Sequence, residues 1–342
     1  MKKFLSAIAA LSILTAALAG CGSSASTSTT TAATTAAVTE AAAQGNGSEY
    51  KVAIVQQLDH TSLDEIRLAM EAELDKKAAE KGITITYKEF NGQNDATVLN
   101  QIGAQVVSDQ YDAILPIATL AATTMATATE ENRIPVIYAA ISDPASSDLT
   151  GIPNVTGTSD ALNTQFILDM MLAAQPDIET VGLLYSNSEV NSVTPIAEAK
   201  AYLESKGIAY LEKTGNSTDE ILTAASAMVG RVQAVFTPTD NVVMAAASAV
   251  AEILTDAGIP HYTGADSFVT AGAFTTCGVN YTELGTYTAD MAVDILLGGA
   301  IPEYHVMDGG IITVNTDTAK ALGIDYSVFS TMAGTVKEVT TE

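Results

Sequence analysis

The chain has 342 residues, 47% hydrophobic and 16% charged, which suits a globular protein longer than one average domain. Its 40 Asp and Glu against 15 Lys and Arg leave a formal net charge of -25. That speaks against nucleic acid and against broad adhesion to anionic lipid heads, both of which need clustered bases, and suits a soluble monomer.

Met1-Lys2-Lys3 precede an apolar stretch from Phe4 to Leu18 and the small residues Ala19 and Gly20. A basic start, a short apolar run and a small-residue end predict a secretory signal over residues 1–20. The apolar part is too short and Ala-rich for a spanning helix. Leu18-Ala19-Gly20-Cys21 resembles the bacterial lipobox, which implies that Cys21 is acylated and anchors the protein to the membrane. Residues 21–49 are mostly Ser, Thr, Ala and Gly, unable to bury enough apolar area to offset ordering entropy, and read as a flexible tether. Only Cys277 is left for the folded part, so an intrachain disulfide or a multi-thiolate metal site is ruled out there. Its apolar surroundings, Ala273 to Val279, read as a buried strand.

The folded chain opens with the β-branched run Val52 to Gln57 and a polar turn, Leu58 to Thr61. Ser62 followed by Glu65 fits a capping box. Leu63, Ile66, Met70, Leu74 and Ala78 then step at helical spacing towards Gly82. Strands follow at 83–90, 111–117 and 135–141, with helices at 95–110 and 120–131 between them. After Thr156 to Asp160 a second series begins: helix 162–174, strand 180–185, helix 196–206, strand 208–213, helix 219–229, strand 234–238, helix 242–257 and strand 260–264. Strands separated by single helices imply right-handed crossovers and parallel sheets. The fold class expected is therefore α/β, two doubly wound parallel-sheet lobes joined by a hinge. Lobe I takes residues 50–158 and about 281–309, and lobe II takes 159–280 and about 310–335. A helical stripe over 282–297 could cover either lobe by its pattern alone.

Ligands of open α/β sheets gather at the carboxyl ends of strands, where free N–H groups of the next helix also favour anions. Candidate ligand-binding residues on that ground are Gln57, His60, Ala118, Thr119 and Asp143 in the first half. In the second half they are Ser188, Glu189, Asn191, Ser192, Asp240, Asn241 and Asp266. The Ser186–Ser192 cluster, with Thr194-Pro195 as cap and first helical residue, could hold a carboxylate without Arg; Asp240 could face an ammonium group. His60 has no second His or Cys at zinc spacing. A phosphate loop, a Gly-x-Ser-x-Gly elbow and a dinucleotide fingerprint are all missing from the sequence, so no catalytic residues, metal or cofactor are expected.

Six segments in order resemble the tryptophan-binding family of bacterial ABC-transporter substrate-binding proteins. They are Gln57–Asp64, Ile117–Ala121, Ile141–Pro144, Asn154–Asp160, Tyr185–Ser192 and Thr239–Asn241. The resemblance spans about Lys51 to Asp325 and implies a type I periplasmic-binding fold closing on an amino acid, an aromatic one above all, for delivery to a permease and its ATPase. It implies that His60, Leu63 and Thr119 line the first-lobe side, and that Ser188, Asn191, Ser192, Asp240 and Asn241 grip the amino acid's polar end. Thr61 where the family commonly has Pro, and Ser142 where Thr is usual, reshape the cleft mouth.

Overall fold

The computed structural model describes residues 48–333 and 335–342; the expected signal segment, Cys21 and nearly all of the tether lie outside them. The first lobe is built from β1 (Glu49–Gln56), α1 (Thr61–Lys81), β2 (Thr84–Asn91), α2 (Ala96–Ser108), β3 (Ala113–Ile117), α3 (Thr119–Ala128), β4 (Val136–Tyr138) and β5 (Val155–Ser159). These strands form an all-parallel sheet in the order β2-β1-β3-β4-β5. In β1, Val52 and Ile54 pack into one cluster while Ala53 and Val55 pack into another. Burial on both faces explains why the strand is a continuous apolar run rather than an alternating one. In α1 the expected stripe of Leu63, Ile66, Met70 and Leu74 is buried, and Gly82 ends the helix at φ 64°.

The second lobe comprises α4 (Thr164–Ala174), β6 (Thr180–Tyr185), α5 (Val193–Lys206), β7 (Ala209–Thr214), α6 (Thr218–Ser226), β8 (Ala234–Thr237), α7 (Asn241–Met244), α8 (Ala247–Asp256), β9 (His261–Thr263), α9 (Asp266–Thr270) and β10 (Thr275–Gly278). Cys277 is buried in β10. The chain then returns to the first lobe with α10 (Tyr281–Leu296) and β11 (His305–Val306), which pairs with β5. It ends on the second with β12 (Ile311–Asn315), α11 (Thr316–Leu322) and β13 (Val336–Val339). The second sheet runs β7-β6-β8-β9-β10-β12-β13, parallel throughout except for the β10–β12 pair. Three connections therefore cross between the sheets, after β5, after β10 and after β11. Helix α10 lies so close on α1 that a Cβ at Gly285 would stand 2.5 Å from the Ile66 carbonyl oxygen.

Three local expectations need correction. Ser62 and Glu65 form no capping box: α1 starts two residues earlier than that box requires, at Thr61 after His60, so the Ser62 hydroxyl is free to meet Ser267 of the second lobe. Glu65 instead accepts from the backbone N–H of Thr282 at 3.0 Å, in the first turn of α10. The helix expected over 242–257 breaks at Ala246 (φ -111°, ψ 8°), leaving Met244 on the interlobe cleft while Ala247, Val250 and Leu254 join the core. Helix α5 begins at Val193 after a short turn, so Pro195 is its third residue rather than its first.

Candidate functional site

In each sheet the strand order reverses direction once, between β1 and β3 in the first and between β6 and β8 in the second. Loops leaving such neighbouring strands diverge to opposite faces and open a crevice at their carboxyl ends. The two crevices face each other here. After β1 comes the turn with His60 and Leu63, and after β3 come Ala118 and Thr119. Across from them lie Asn191, after β6, and Thr239, Asp240 and Asn241, after β8. All line one cavity, whose free volume of about 20 Å³ in this closed form has room for little more than a water.

The lobes stand closed, joined by side chains across the cleft. Gln57 Nε2 donates to Glu189 Oε1 at 3.0 Å, and His60 Nε2 lies 3.0 Å from Asn241 Oδ1. Ser142 and Thr239 meet through their hydroxyls at 2.9 Å, and Ser62 meets Ser267. Because Asn241 Nδ2 donates to Glu189 Oε2, its oxygen faces the imidazole, so His60 carries its proton on Nε2. His60 Nδ1 is then a bare acceptor, buried with no partner. Thr119 Oγ1 is likewise buried and unpartnered at the start of α3. The turn there is strained: Ala118 sits at φ 74°, ψ 164°, a region that only Gly adopts readily. Ala140, also on the cavity wall, has φ 58°.

The cavity wall combines two chemistries. Leu63, Met244 and Phe268 are apolar, while Asp160, Asp240, Ser142 and the Tyr281 hydroxyl are polar. No Lys or Arg belongs to the lining. Burial pushes the Asp160 carboxyl above the usual carboxylate range, against the opposing pull of hydroxyl donors Ser142 and Tyr281. Burial also raises Asp240, opposed first by the Ser192 hydroxyl and then by backbone N–H groups. Glu189, buried beside Asp240, is pushed up to about 7 by desolvation and then by that neighbouring charge. His60 is lowered by burial, with Asn241, Asp64 and Asp59 working the other way.

Of the residues expected from sequence, His60, Leu63, Ala118, Thr119, Asn191, Asp240 and Asn241 come together on the cavity. Gln57, Glu189 and Ser192 lie just behind it: Gln57 Oε1 accepts from Leu120 N–H at 2.9 Å, and Ser192 Oγ donates to Asp240 Oδ2 at 2.7 Å. Three others are placed off the wall. Asp143 accepts from Ser146 and Thr194 at the rim, Ser188 is exposed and pairs with Ser186, and Asp266 accepts from Lys337. Sequence reasoning missed Asp160, Tyr281, Met244 and Phe268. Asp160 ends one of the segments that carry the family resemblance, but as an isolated polar residue it gives no local sign of where it points.

The sequence profile described as ABC transporter substrate binding protein matches residues 51–335. A curated relative named tyrosine-binding protein, from Clostridioides difficile (strain R20291), is 29% identical over 332 residues, 94% of this chain and 92% of the relative. Among solved structures, the ABC domain in complex with L-Trp from Streptococcus pneumonia is 30% identical, with a TM-score of 0.77 over 84% of this chain and all of that one. A ligand-free, open structure of a Clostridium difficile substrate binding protein with adhesive properties is 31% identical but reaches a TM-score of only 0.65, over 86% of this chain and all of that one. Near-equal identity with unequal superposition matches the closed posture of the lobes described above. The chain belongs to the ABC transporter substrate-binding protein family.

Proposed function

We propose that the protein captures an aromatic L-amino acid between its lobes as the extracytoplasmic binding component of an ABC importer. The observation that carries this reading is the cavity's combination of apolar side chains (Leu63, Met244, Phe268) with buried carboxylates, and no Lys or Arg in the lining. A zwitterion with an apolar side chain suits both. The ammonium answers buried negative charge, and the carboxylate can take the unpartnered Thr119 hydroxyl at the start of α3. The names of the tyrosine-binding relative and of the L-Trp complex support an aromatic side chain. Closure is a population shift, since contacts to both lobes exist only in the closed form.

Delivery to a permease with its ATPase follows from the family, the lipobox-like residues before Cys21 support an anchored protein, and the net charge of -25 suits a monomer. No helix among the described residues is long and apolar enough to cross a membrane. A thermal-shift and calorimetric screen of the twenty amino acids tests the reading, because a ligand bound only to the folded state raises its midpoint. Trp, Tyr or Phe should give the largest rise; a branched-chain amino acid, a nucleoside or a sugar binding better would sink the aromatic assignment. The adhesive properties named for one relative favour a second reading, a surface protein that makes little use of the cleft. A flat response to every ligand would favour it.

A further inference from the structure

Three buried carboxylates surround the cleft, and they differ in what already satisfies them. Asp240 Oδ1 accepts from Val243 N–H at 2.9 Å, and its Oδ2 accepts from Ser186 N–H and the Ser192 hydroxyl, each at 2.7 Å. Its charge is answered by main-chain dipoles and it holds the second lobe's two cleft loops together. Glu189 has an amide donor on each oxygen, from Gln57 and Asn241. Asp160 differs. It is 4% exposed, lines the cavity, and receives from other residues two hydroxyls alone, Ser142 at 3.0 Å on Oδ1 and Tyr281 at 3.0 Å on Oδ2, beside its own backbone N–H. It takes part in none of the ion pairs among the described residues. A buried carboxylate to which other residues bring only hydroxyls is the one of the three that gains most from an arriving cation.

We propose that Asp160 supplies the countercharge for the ligand's ammonium group and ties that charge to lobe closure. The inference rests on the amino-acid reading above, not on the side chain being aromatic. Asp160 follows β5 at the first connection between the lobes, and Tyr281 opens α10 at the second. The proton of Ser142 goes to Asp160, so Thr239 of the second lobe donates to Ser142 of the first. The chain Thr239–Ser142–Asp160–Tyr281 thus joins both lobes and two of their connections at one carboxylate. A cation on Asp160 fixes the acceptor on which that chain converges, so the ammonium favours the closed form wherever the ligand's side chain rests.

The test compares L-Tyr, L-Trp and L-Phe with 3-(4-hydroxyphenyl)propionate, 3-indolepropionate and 3-phenylpropionate, which lack only the ammonium. On the wild-type protein, calorimetry should show each bound amino acid preferred over its counterpart by about 100-fold or more, the cost of leaving a buried charge unpaired. Asp160→Asn, nearly the same in shape, should reduce that preference to less than about tenfold by weakening the amino acid alone. Asp160→Glu should restore part of it. A merely structural role would weaken both probes alike, and that result overturns the proposal, as does an undiminished preference in Asp160→Asn. If the wild type binds L-Leu instead, the aromatic reading fails and L-Leu against 4-methylpentanoate decides Asp160. If none of the twenty amino acids binds, the proposal falls on the wild type alone.

Discussion

Gln57 and Glu189 lie 132 residues apart in sequence, yet an amide N–H of the first meets a carboxylate oxygen of the second at 3.0 Å across the cleft. Gln57 is held for this by Asn94, which accepts its other N–H at 2.8 Å, and by Leu120 N–H on its oxygen. Glu189 is held by Asn241 Nδ2 at 2.6 Å. Gln57→Ala should therefore weaken ligand binding by loosening the closed form, by about 1 kcal/mol or somewhat more for a bond to a buried, partly charged acceptor. Calorimetry with the best-bound amino acid reads this, and an unchanged affinity would show that the contact does not contribute.

The raised Glu189 pKa gives a pH dependence of definite sign. Below its ordinary value of 4.5 the folded and unfolded chains both hold the proton and the residue costs nothing. Between 4.5 and about 7 the unfolded chain releases the proton while the folded chain keeps it, so stability falls; above about 7 the whole penalty, on the order of a few kcal/mol, is in place. Urea unfolding from pH 5 to pH 8 should lose more stability in the wild type than in Glu189→Gln. Parallel curves would count against the assignment.

His60 acts in the opposite direction. Its folded pKa lies below the ordinary 6.5, chiefly through burial, so its stabilising neutral form is fully present above 6.5 and is lost as pH falls through the lowered value. Ligand affinity of the wild type should fall on acidification below 6.5, and His60→Gln, which cannot titrate, should flatten that arm. If the acid arm persists in the variant, the proton is going elsewhere.

Ala118 at φ 74° carries a backbone conformation open mainly to Gly. Ala118→Gly should raise folding stability by about 1 kcal/mol, the strain relieved exceeding the entropy that Gly adds to the unfolded chain. A lower melting temperature in the variant would mean that the methyl's packing on the cavity wall outweighs the strain.

Gly285 marks a close approach of α10 to α1, where an added Cβ would meet the Ile66 carbonyl oxygen at 2.5 Å and Ala69 Cβ at 2.8 Å. Backbone cannot yield as a side-chain tip does. Gly285→Ala should cost about 1–3 kcal/mol in urea unfolding, despite the better helix propensity of Ala. A neutral result would require the two helices to separate freely.

Much of this was readable in the chain. Val52 to Gln56 announced a strand covered on both faces, and Leu63, Ile66, Met70 and Leu74 announced a helix stripe, because periodicity is local. The turns after β1, β3, β6 and β8 were readable as candidate ligand positions because strand ends are where such sheets open. Asp143, Ser188 and Asp266 looked the same as their neighbours, and only their partners Ser146, Thr194, Ser186 and Lys337 set them off the wall. Asp160 and Tyr281 became a pair through the crossing of two connections 121 residues apart, and no local pattern carries that. The exchange of Glu65 from its own helix to Thr282 escaped for the same reason.

The threading of the chain has a consequence for how the protein can be cut or made. A fragment ending at Asn280 would leave the α1 face beneath Gly285 bare and would strand β10 without β12. The partner of Thr158 in the first sheet is His305, so even the older half of the chain waits on its tail. Neither lobe can be excised as a continuous piece, and a nascent chain emerging amino end first must hold both halves unfinished until the last strands arrive. Two bodies to look at, the protein should melt as one.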